Sequence, residues 1–314
     1  MRYAPDLLAV LGRNLGELKA VERYGLVSDS WAATVAGMMP LAEFLPMLRA
    51  MRGETDLNVW RAMLSPLGYL DMILKESERP RLAAAVREIV SDAAARLGWD
   101  PRPGEDELVR QLRGTLWGSL GTLGDDGEVQ GRAAEIYARY LKDPAAVDRD
   151  LVPPVIGVLA YAGDRARYEE FKQHFKSART PQEEQRYLFS LASFRRIELL
   201  RATMEMTLNG EVRTQNAPYL MHSLLLNNIC RYEAWDFVKK HWEEMIRKFP
   251  DAALPRMCEA VVGLLERESE VHEFFQAHRV RLGGKIIDQH LERLRVAVAF
   301  RRREDANLAA ILRE

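Results

Sequence analysis

The sequence predicts an all-α fold, a curved α-solenoid of about eight antiparallel helix pairs of the HEAT or armadillo kind. Three observations predict it. Apolar residues recur three and four positions apart almost throughout the chain. Strand-like alternation is nearly absent. Breakers cut the chain at short intervals, leaving roughly sixteen helical pieces of about 10–20 residues, or ~40 residues per pair. The repeat is structural only, since no clean self-similar motif runs along the chain. Such pairs stack because one pair alone cannot bury its apolar face, and the stack curves into a concave surface where function would sit.

Taken in order, Leu7, Leu8, Leu11 and Leu15 form the first apolar stripe. Breakers at Gly37 to Pro40 and Gly53 to Asp56 precede the next clear stripe, Val59, Met63, Leu67, Leu70 and Leu74. Ser77-Glu78-Arg79-Pro80 carries a weak helix-start signal. Asp92 to Glu105, with Gly98, Pro101, Pro103 and Gly104, is the weakest point of the chain, yet no linker forces a second domain. Residues 1–314 therefore read as a single helical-repeat domain. Gly114, Gly118, Gly121 and Gly124 recur at three and four, a helix face stripped of side chains so that a neighbour can pack close, or else a bending point. Thr180-Pro181-Gln182-Glu183 is a stronger helix start, with a Thr cap, Pro at the first helical position and Glu three residues after the cap. Trp235, Val238, Trp242, Met245 and Phe249 make a late stripe, and Asp251 offers another weak start.

Composition narrows the function classes. Apolar residues at 47% and charged residues at 29% of 314 describe an ordinary globular chain and exclude a disordered one. Lys+Arg of 45 against Asp+Glu of 46 argues against a dedicated nucleic-acid binder. Cys230 and Cys258 cannot form a disulfide framework, so nothing requires an oxidising compartment, and a cytoplasmic location is the expectation. The longest apolar stretch, Leu151 to Gly163, contains two prolines and falls short of the ~20 residues of a membrane span. Met1 to Asp6 is not the start of a signal peptide.

The search for chemistry finds no self-contained catalytic constellation. His272-Glu273-Phe274-Phe275-Gln276-Ala277-His278 is similar to a helical zinc motif but two residues too long. A spacing of six turns the second histidine by about 240° away from the first. The other histidines, His174, His222, His241 and His290, show no ligand spacing. Gly118-Ser119-Leu120-Gly121 is not a nucleophile elbow, because Trp117 stands where the first glycine must be. Cys230 reads as a buried structural thiol, and Glu183-Glu184 and Glu243-Glu244 as solvated faces. Arg301-Arg302-Arg303 reads as a solvated helix end favoured by the helix dipole, with a basic patch as the alternative.

Several stretches, in order and over almost the whole chain, resemble one family. Arg23, Leu26, Asp29 and Trp31 fit R-x-x-L-x-x-D-x-(F/W), and Glu54 to Trp60 fits E-x-D-(Y/L)-x-V-W. Glu211-Val212-Arg213-Thr214-Gln215-Asn216 resembles the V-R-x-Q-(D/E) turn and helix start, with Asn216 at the acidic position. Asn227 to Phe237 is similar to N-P-x-G-x-x-x-A-W-x-F, followed by His241-Trp242. Asn228 stands there in place of Pro, and Cys230 in place of Gly. Gln289 to Glu292 fits Q-x-x-E. The family is the C-terminal helical domain of the aminopeptidase N-type gluzincin zinc aminopeptidases, which include the puromycin-sensitive and endoplasmic-reticulum enzymes.

That resemblance implies a parent enzyme that removes N-terminal residues from peptides. Arg2 to Leu8 resembles the join between a small β-sandwich and the helical domain, so the chain is expected to be cropped there. The family's H-E-x-x-H zinc motif and G-x-M-E-N loop are absent here and would lie upstream. This chain would then carry no catalytic residue and no metal, with zinc in the upstream catalytic domain. Its partners would be that domain and the peptide substrate, with no nucleic acid. Arg213, Gln215, Arg231, Gln289 and Arg293 are the expected concave-face contacts to peptide, since Arg grips carboxylates and Gln can bond carbonyls. The alternatives are a stand-alone HEAT-like scaffold binding a protein or peptide, and an enzyme using His272 and His278.

Overall fold

A computed structural model describes residues 3–278 and 285–311. The described residues are helices and their connections, with no strand, and 17 α-helices stand close to the expected number. The chain divides into two compact units, one running to Val158 and including the stretch from Phe300 onward, the other spanning Leu159–Ala299. Asp92 to Glu105 lies inside the first unit, so the weakest point of the sequence is not where the units part.

The first unit contains α1 (Pro5–Arg13), α2 (Ala20–Val35), α3 (Leu41–Ala50), α4 (Leu57–Ile73), α5 (Arg79–Leu97), α6 (Glu107–Gly121), α7 (Gly127–Lys142) and most of α8 (Val152–Ala162). Helices near in sequence pack together, α2 on α4 and α5 on α6. Trp31 meets Phe44, Tyr69 and Phe300 at ring separations of 5.2, 5.4 and 5.8 Å. Trp60 is fully buried and donates its indole N–H to the Glu54 carbonyl at 2.9 Å. The Glu54 side chain is bidentate to Arg23, at 2.6 and 2.9 Å, and one of its oxygens also accepts the Thr55 and Asp56 amides. Burial alone would raise this carboxyl, but the Arg23 hydrogen bond and the two amides hold it below the usual carboxylate range. The two sequence stretches bearing Arg23 and Glu54 thus meet as a structural staple.

The glycine stripe is explained by close packing. A Cβ on Gly121 would fall 2.5 Å from a methyl of Val158, and one on Gly114 would fall 2.7 Å from the Asp150 carbonyl oxygen. Gly118 faces Pro154 in the same way. The face of α6 is bare so that the start of α8 can lie against it.

The second unit contains α9 (Arg165–Ser177), α10 (Pro181–Ser190), α11 (Ile197–Met206), α12 (Ala217–Leu226), α13 (Arg231–Lys240), α14 (Trp242–Lys248), α15 (Leu254–Cys258), α16 (Glu268–His278) and the first part of α17 (Lys285–Ile311). Short 3₁₀ turns follow α10 at Leu191–Ser193 and α15 at Glu259–Gly263. Its core holds Tyr168, Phe171, Tyr187 and Phe194, then Trp235, Trp242 and Phe275. Thr180 caps α10 as expected, accepting the Glu183 amide at 3.2 Å, with Pro181 at the first position. Helices also begin at the two weaker start stretches, but without the expected cap. α5 begins at Arg79 and α15 at Leu254 without a side-chain cap, because Ser77 and Asp251 lie too far ahead of the first turn to reach its amides.

Candidate functional site

A groove of about 490 Å³ opens in the second unit, lined by Phe189, Tyr219, His222, Ser223, Leu226, Arg256, Glu259 and Val262. Four of these come from α12. Tyr219, His222, Ser223 and Leu226 stand at i, i+3, i+4 and i+7, which is one helix face. The opposite face of α12, with Leu220, Met221, Leu224 and Leu225, is buried. Tyr219 and Leu226 therefore stay exposed on the groove side as apolar surface. Arg256 lies on α15, and Glu259 and Val262 in the 3₁₀ turn that follows it.

A charged triad forms the polar side. Glu259 accepts from Arg256 at 2.6 Å and, through its other oxygen, from Arg293 of α17 at 2.8 Å. Both arginines are about 60% exposed, at 61% and 60%, against 28% for Glu259. Two guanidiniums around one carboxylate leave an excess of one positive charge with free donor edges toward solvent. The Arg256 hydrogen bond, with Arg293 beside it, holds the Glu259 carboxyl below its usual range.

Two imidazoles belong to the same neighbourhood. His222 is pushed down by burial, against the pull of Glu259 and with the push of Arg256 and His290. His290, buried on α17, has its Nε2 at 3.0 Å from the Pro255 carbonyl oxygen. It too is pushed down by burial, opposed by the Pro255 carbonyl and Glu259 and aided by Arg293 and Arg256. Ser223 donates its hydroxyl back to the Tyr219 carbonyl at 3.1 Å and is tied to its own helix. The arrangement has the means to grip: an apolar wall, an aromatic hydroxyl and two exposed guanidiniums.

The residues expected from sequence fall into different settings. Arg293 stands at the groove through Glu259, and Gln289, exposed one turn earlier on α17, shares its helix face. Arg213 and Gln215 are exposed in the turn before α12, with Arg213 paired to Glu184 of α10 at 3.0 Å. Arg231 is different. It is buried, and it donates to the Gly263 carbonyl at 2.9 Å, tying α13 to the turn after α15. Tyr219, His222, Arg256, Glu259, Phe189 and Val262 were not singled out as contacts by the sequence. The available signal was a tyrosine and a histidine three apart on a helix otherwise rich in leucine.

The other sequence motifs serve the scaffold. Asn227 donates to the Ala192 and Phe194 carbonyls at 2.8 and 3.0 Å and accepts the Ile229 amide. Cys230, in the family's glycine position, has φ of −123°, which any residue adopts. Burial pushes its thiol up to about 12, which keeps it protonated and unreactive at neutral pH. His278 stacks on Phe274 at 4.2 Å and lies against Trp242, with Nδ1 2.7 Å from the Phe274 carbonyl oxygen. Among the described residues, no three His, Cys, Asp or Glu side chains converge as metal ligands, and no helix is long and apolar enough to cross a membrane.

Comparison with known proteins gives a consistent result. The model of the ERAP1-like C-terminal domain matches residues 1–296. The chain is 27% identical to Aminopeptidase M1-A of Oryza sativa subsp. japonica over 315 residues, covering 95% of this chain and 35% of that protein. It is 28% identical to Aminopeptidase M1 of Arabidopsis thaliana, covering 94% and 35%. For Aminopeptidase A of Gloydius brevicauda the identity is 23%, covering 88% and 30%. The chain thus spans roughly a third of the length of the curated relatives it matches.

Proposed function

Because the chain belongs to the ERAP1-like C-terminal domain family, we propose that it is the non-catalytic helical domain of a zinc-dependent aminopeptidase. In this reading its paired helices stack into a curved, HEAT-like wall that closes over a catalytic domain earlier in the same polypeptide. The closed chamber holds a peptide whose first residue is being removed, and opening and closing admit substrate and release product. The groove of the second unit contacts the distal part of that peptide. Tyr219, Phe189 and Leu226 offer apolar surface to its side chains, and Arg256 and Arg293 offer donors to its carbonyls or a carboxylate.

The observation that carries the reading is the family match over nearly the whole chain, joined to relatives named aminopeptidases of which the chain spans roughly a third. Zinc finds no fitting donor set among this chain's described residues, so the reading assigns the metal to the preceding domain. The test is hydrolysis of aminoacyl 4-nitroanilides, with and without zinc, by this chain and by a longer polypeptide carrying the preceding domain. The longer protein is expected to turn over and this chain alone to be inert. Turnover by the chain alone that disappears in His272→Ala or His278→Ala would overturn the proposal.

A further inference from the structure

The turn that joins α11 to α12 carries a reactive pair of residues. Of the seven asparagines in the chain, only Asn209 is followed by glycine. Asn209 and Gly210 are both exposed. Gly210 has φ of +89°, and a Cβ built on it would meet nothing within 4 Å, so the space above its peptide nitrogen is open. The Gly210 amide finds no acceptor among the described residues. The Asn209 side chain, in contrast, is held in place. Its Oδ1 accepts the Glu211 amide at 2.9 Å and its Nδ2 donates to Glu211 Oε1 at 2.9 Å, so both hydrogen bonds bridge across Gly210. Cations gather at the same turn. Lys172 and Lys176 of α9 lie 3.1 and 2.8 Å from Glu211 Oε2, and Lys248 of α14 donates to the Leu208 carbonyl at 2.8 Å. Lys176, then Asn209 and Lys172, hold the Glu211 carboxyl down to about 2 against the effect of burial, so it stays ionised.

We propose that Asn209–Gly210 is a self-modifying site, at which the folded chain converts Asn209 to aspartate and isoaspartate and so becomes a substrate for carboxyl methyl transfer to the isoaspartyl form. Gly210 loses its amide proton to solvent hydroxide, its nitrogen bonds to Cγ of Asn209, and the Cγ–Nδ2 bond breaks as ammonia leaves with a proton from water. Water then opens the resulting cyclic imide. Opening at Cγ gives aspartate, and opening at the main-chain carbonyl gives isoaspartate. The balance is one water consumed and one ammonia released, with no oxidant or reductant. The turn assists each part of the step. The reacting groups belong to neighbouring residues, so closure is intramolecular. The Glu211 N–H points at the oxygen on which negative charge develops. Lys172, Lys176 and Lys248 favour an anionic intermediate at this surface. The product adds a carboxylate opposite Glu211 in place of an amide donor, so the two lysines of α9 serve two anions. Isoaspartate also lengthens the main chain of the turn that carries Arg213, one of the expected peptide contacts.

The experiment ages the folded chain in mildly alkaline buffer and follows it by peptide mapping, by isoelectric focusing, and by methyl incorporation from S-adenosylmethionine with an isoaspartyl carboxyl methyltransferase. A sample aged in urea serves as the unfolded reference, and Asn209→Gln serves as the control. The Gln variant keeps the side-chain amide but must close a larger ring. Aspartyl and isoaspartyl forms are expected at residue 209 at least about tenfold faster than at Asn14, Asn58 or Asn216, because a side chain on the following residue crowds the closure that glycine permits. The rate should rise with pH, since the nucleophile is the deprotonated amide. A more acidic band should appear in step with the mapped product, and Asn209→Gln should lose both that band and the methyl incorporation. An intact residue 209 in the folded chain, under conditions where the urea-unfolded chain reacts, overturns the proposal by showing that the turn shields the pair. Methyl incorporation that persists undiminished in Asn209→Gln overturns it by placing the reaction elsewhere.

Discussion

Arginine–carboxylate pairs occur in both units, but their surroundings differ. In the first unit Glu54 has a side chain only 2% exposed and spends both oxygens on Arg23 and on backbone amides. Glu78 is likewise enclosed by Arg301 and the Lys75 amide, and Glu105 by the buried Arg113. In the second unit the Arg256–Glu259–Arg293 triad stands at an open groove beside an apolar wall. The same chemical pair therefore does two jobs. Where it is buried and saturated it fixes helices, and where it is open its donors remain available to a ligand. Histidines divide more sharply, since all six lie between 174 and 290, inside the second unit.

The largest effect that would test this contrast is expected from Glu54→Ala. It strips Arg23 of its carboxylate and leaves the Thr55 and Asp56 amides without an acceptor. A broken buried pair costs about 3–5 kcal/mol, and partial exposure of Arg23 brings the expectation to about 2–4 kcal/mol in urea unfolding. A loss as small as that of an exposed pair would show that burial is not what separates the two kinds.

Packing provides the next test. Gly121→Ala places a methyl against Val158, and overpacking of this sort costs about 1–3 kcal/mol. Gly131→Ala in α7 meets nothing within 4 Å and should instead stabilise by about 0.5–1 kcal/mol through helix propensity. Thermal midpoints moving in opposite directions would establish that the α6 stripe exists for close approach. Midpoints moving together would return it to a bending role.

The sequence made some of this legible and hid the rest for identifiable reasons. Helices were readable because i, i+3 and i+4 spacing is local, and Thr180 was readable because a cap and its amide lie three residues apart. Arg23 and Glu54 each stood out in a family-like stretch, but their pairing spans 31 positions and is a tertiary fact. The groove was the least visible feature. Phe189, Tyr219, Glu259 and Arg293 come from four separate elements, and each has an ordinary local context. Arg231 shows the converse. Its motif position marked it as a candidate contact, while its burial among helices commits it to the Gly263 carbonyl.

Acid should separate the units more gently. His222 and His290 titrate lower in the folded chain than their ordinary value of 6.5, so below that value the unfolded chain binds more protons. Stability they contribute is present above pH 6.5 and is lost as pH falls beneath it. The Glu54 contribution has the carboxylate sign, present above 4.5 and lost as pH falls through the lower folded value. Between 6.5 and 4.5, exchange protection should therefore decline in Leu159–Ala299 and hold in the first unit, which has no histidine. Replacing both histidines with Gln should flatten the decline. A decline shared equally by both units would break the comparison.

The smallest effect on stability is expected at the groove, and there the comparison becomes functional. Arg293→Met breaks an exposed pair, so the unfolding midpoint should stay close to that of the parent. If the triad grips ligand, the same change removes a charge-assisted hydrogen bond and should weaken retention of a fluorescent peptide by about tenfold or more. Glu259→Gln should act in the opposite sense on acidic peptides, because it frees both guanidiniums from their internal partner. Arg23→Met, which disrupts the buried pair, should show the reverse profile: lower stability, with peptide retention unchanged in the molecules that remain folded. A groove variant that destabilised the fold while leaving binding intact would place Arg256, Glu259 and Arg293 among the staples and leave the open wall of Tyr219 and Leu226 without its polar counterpart.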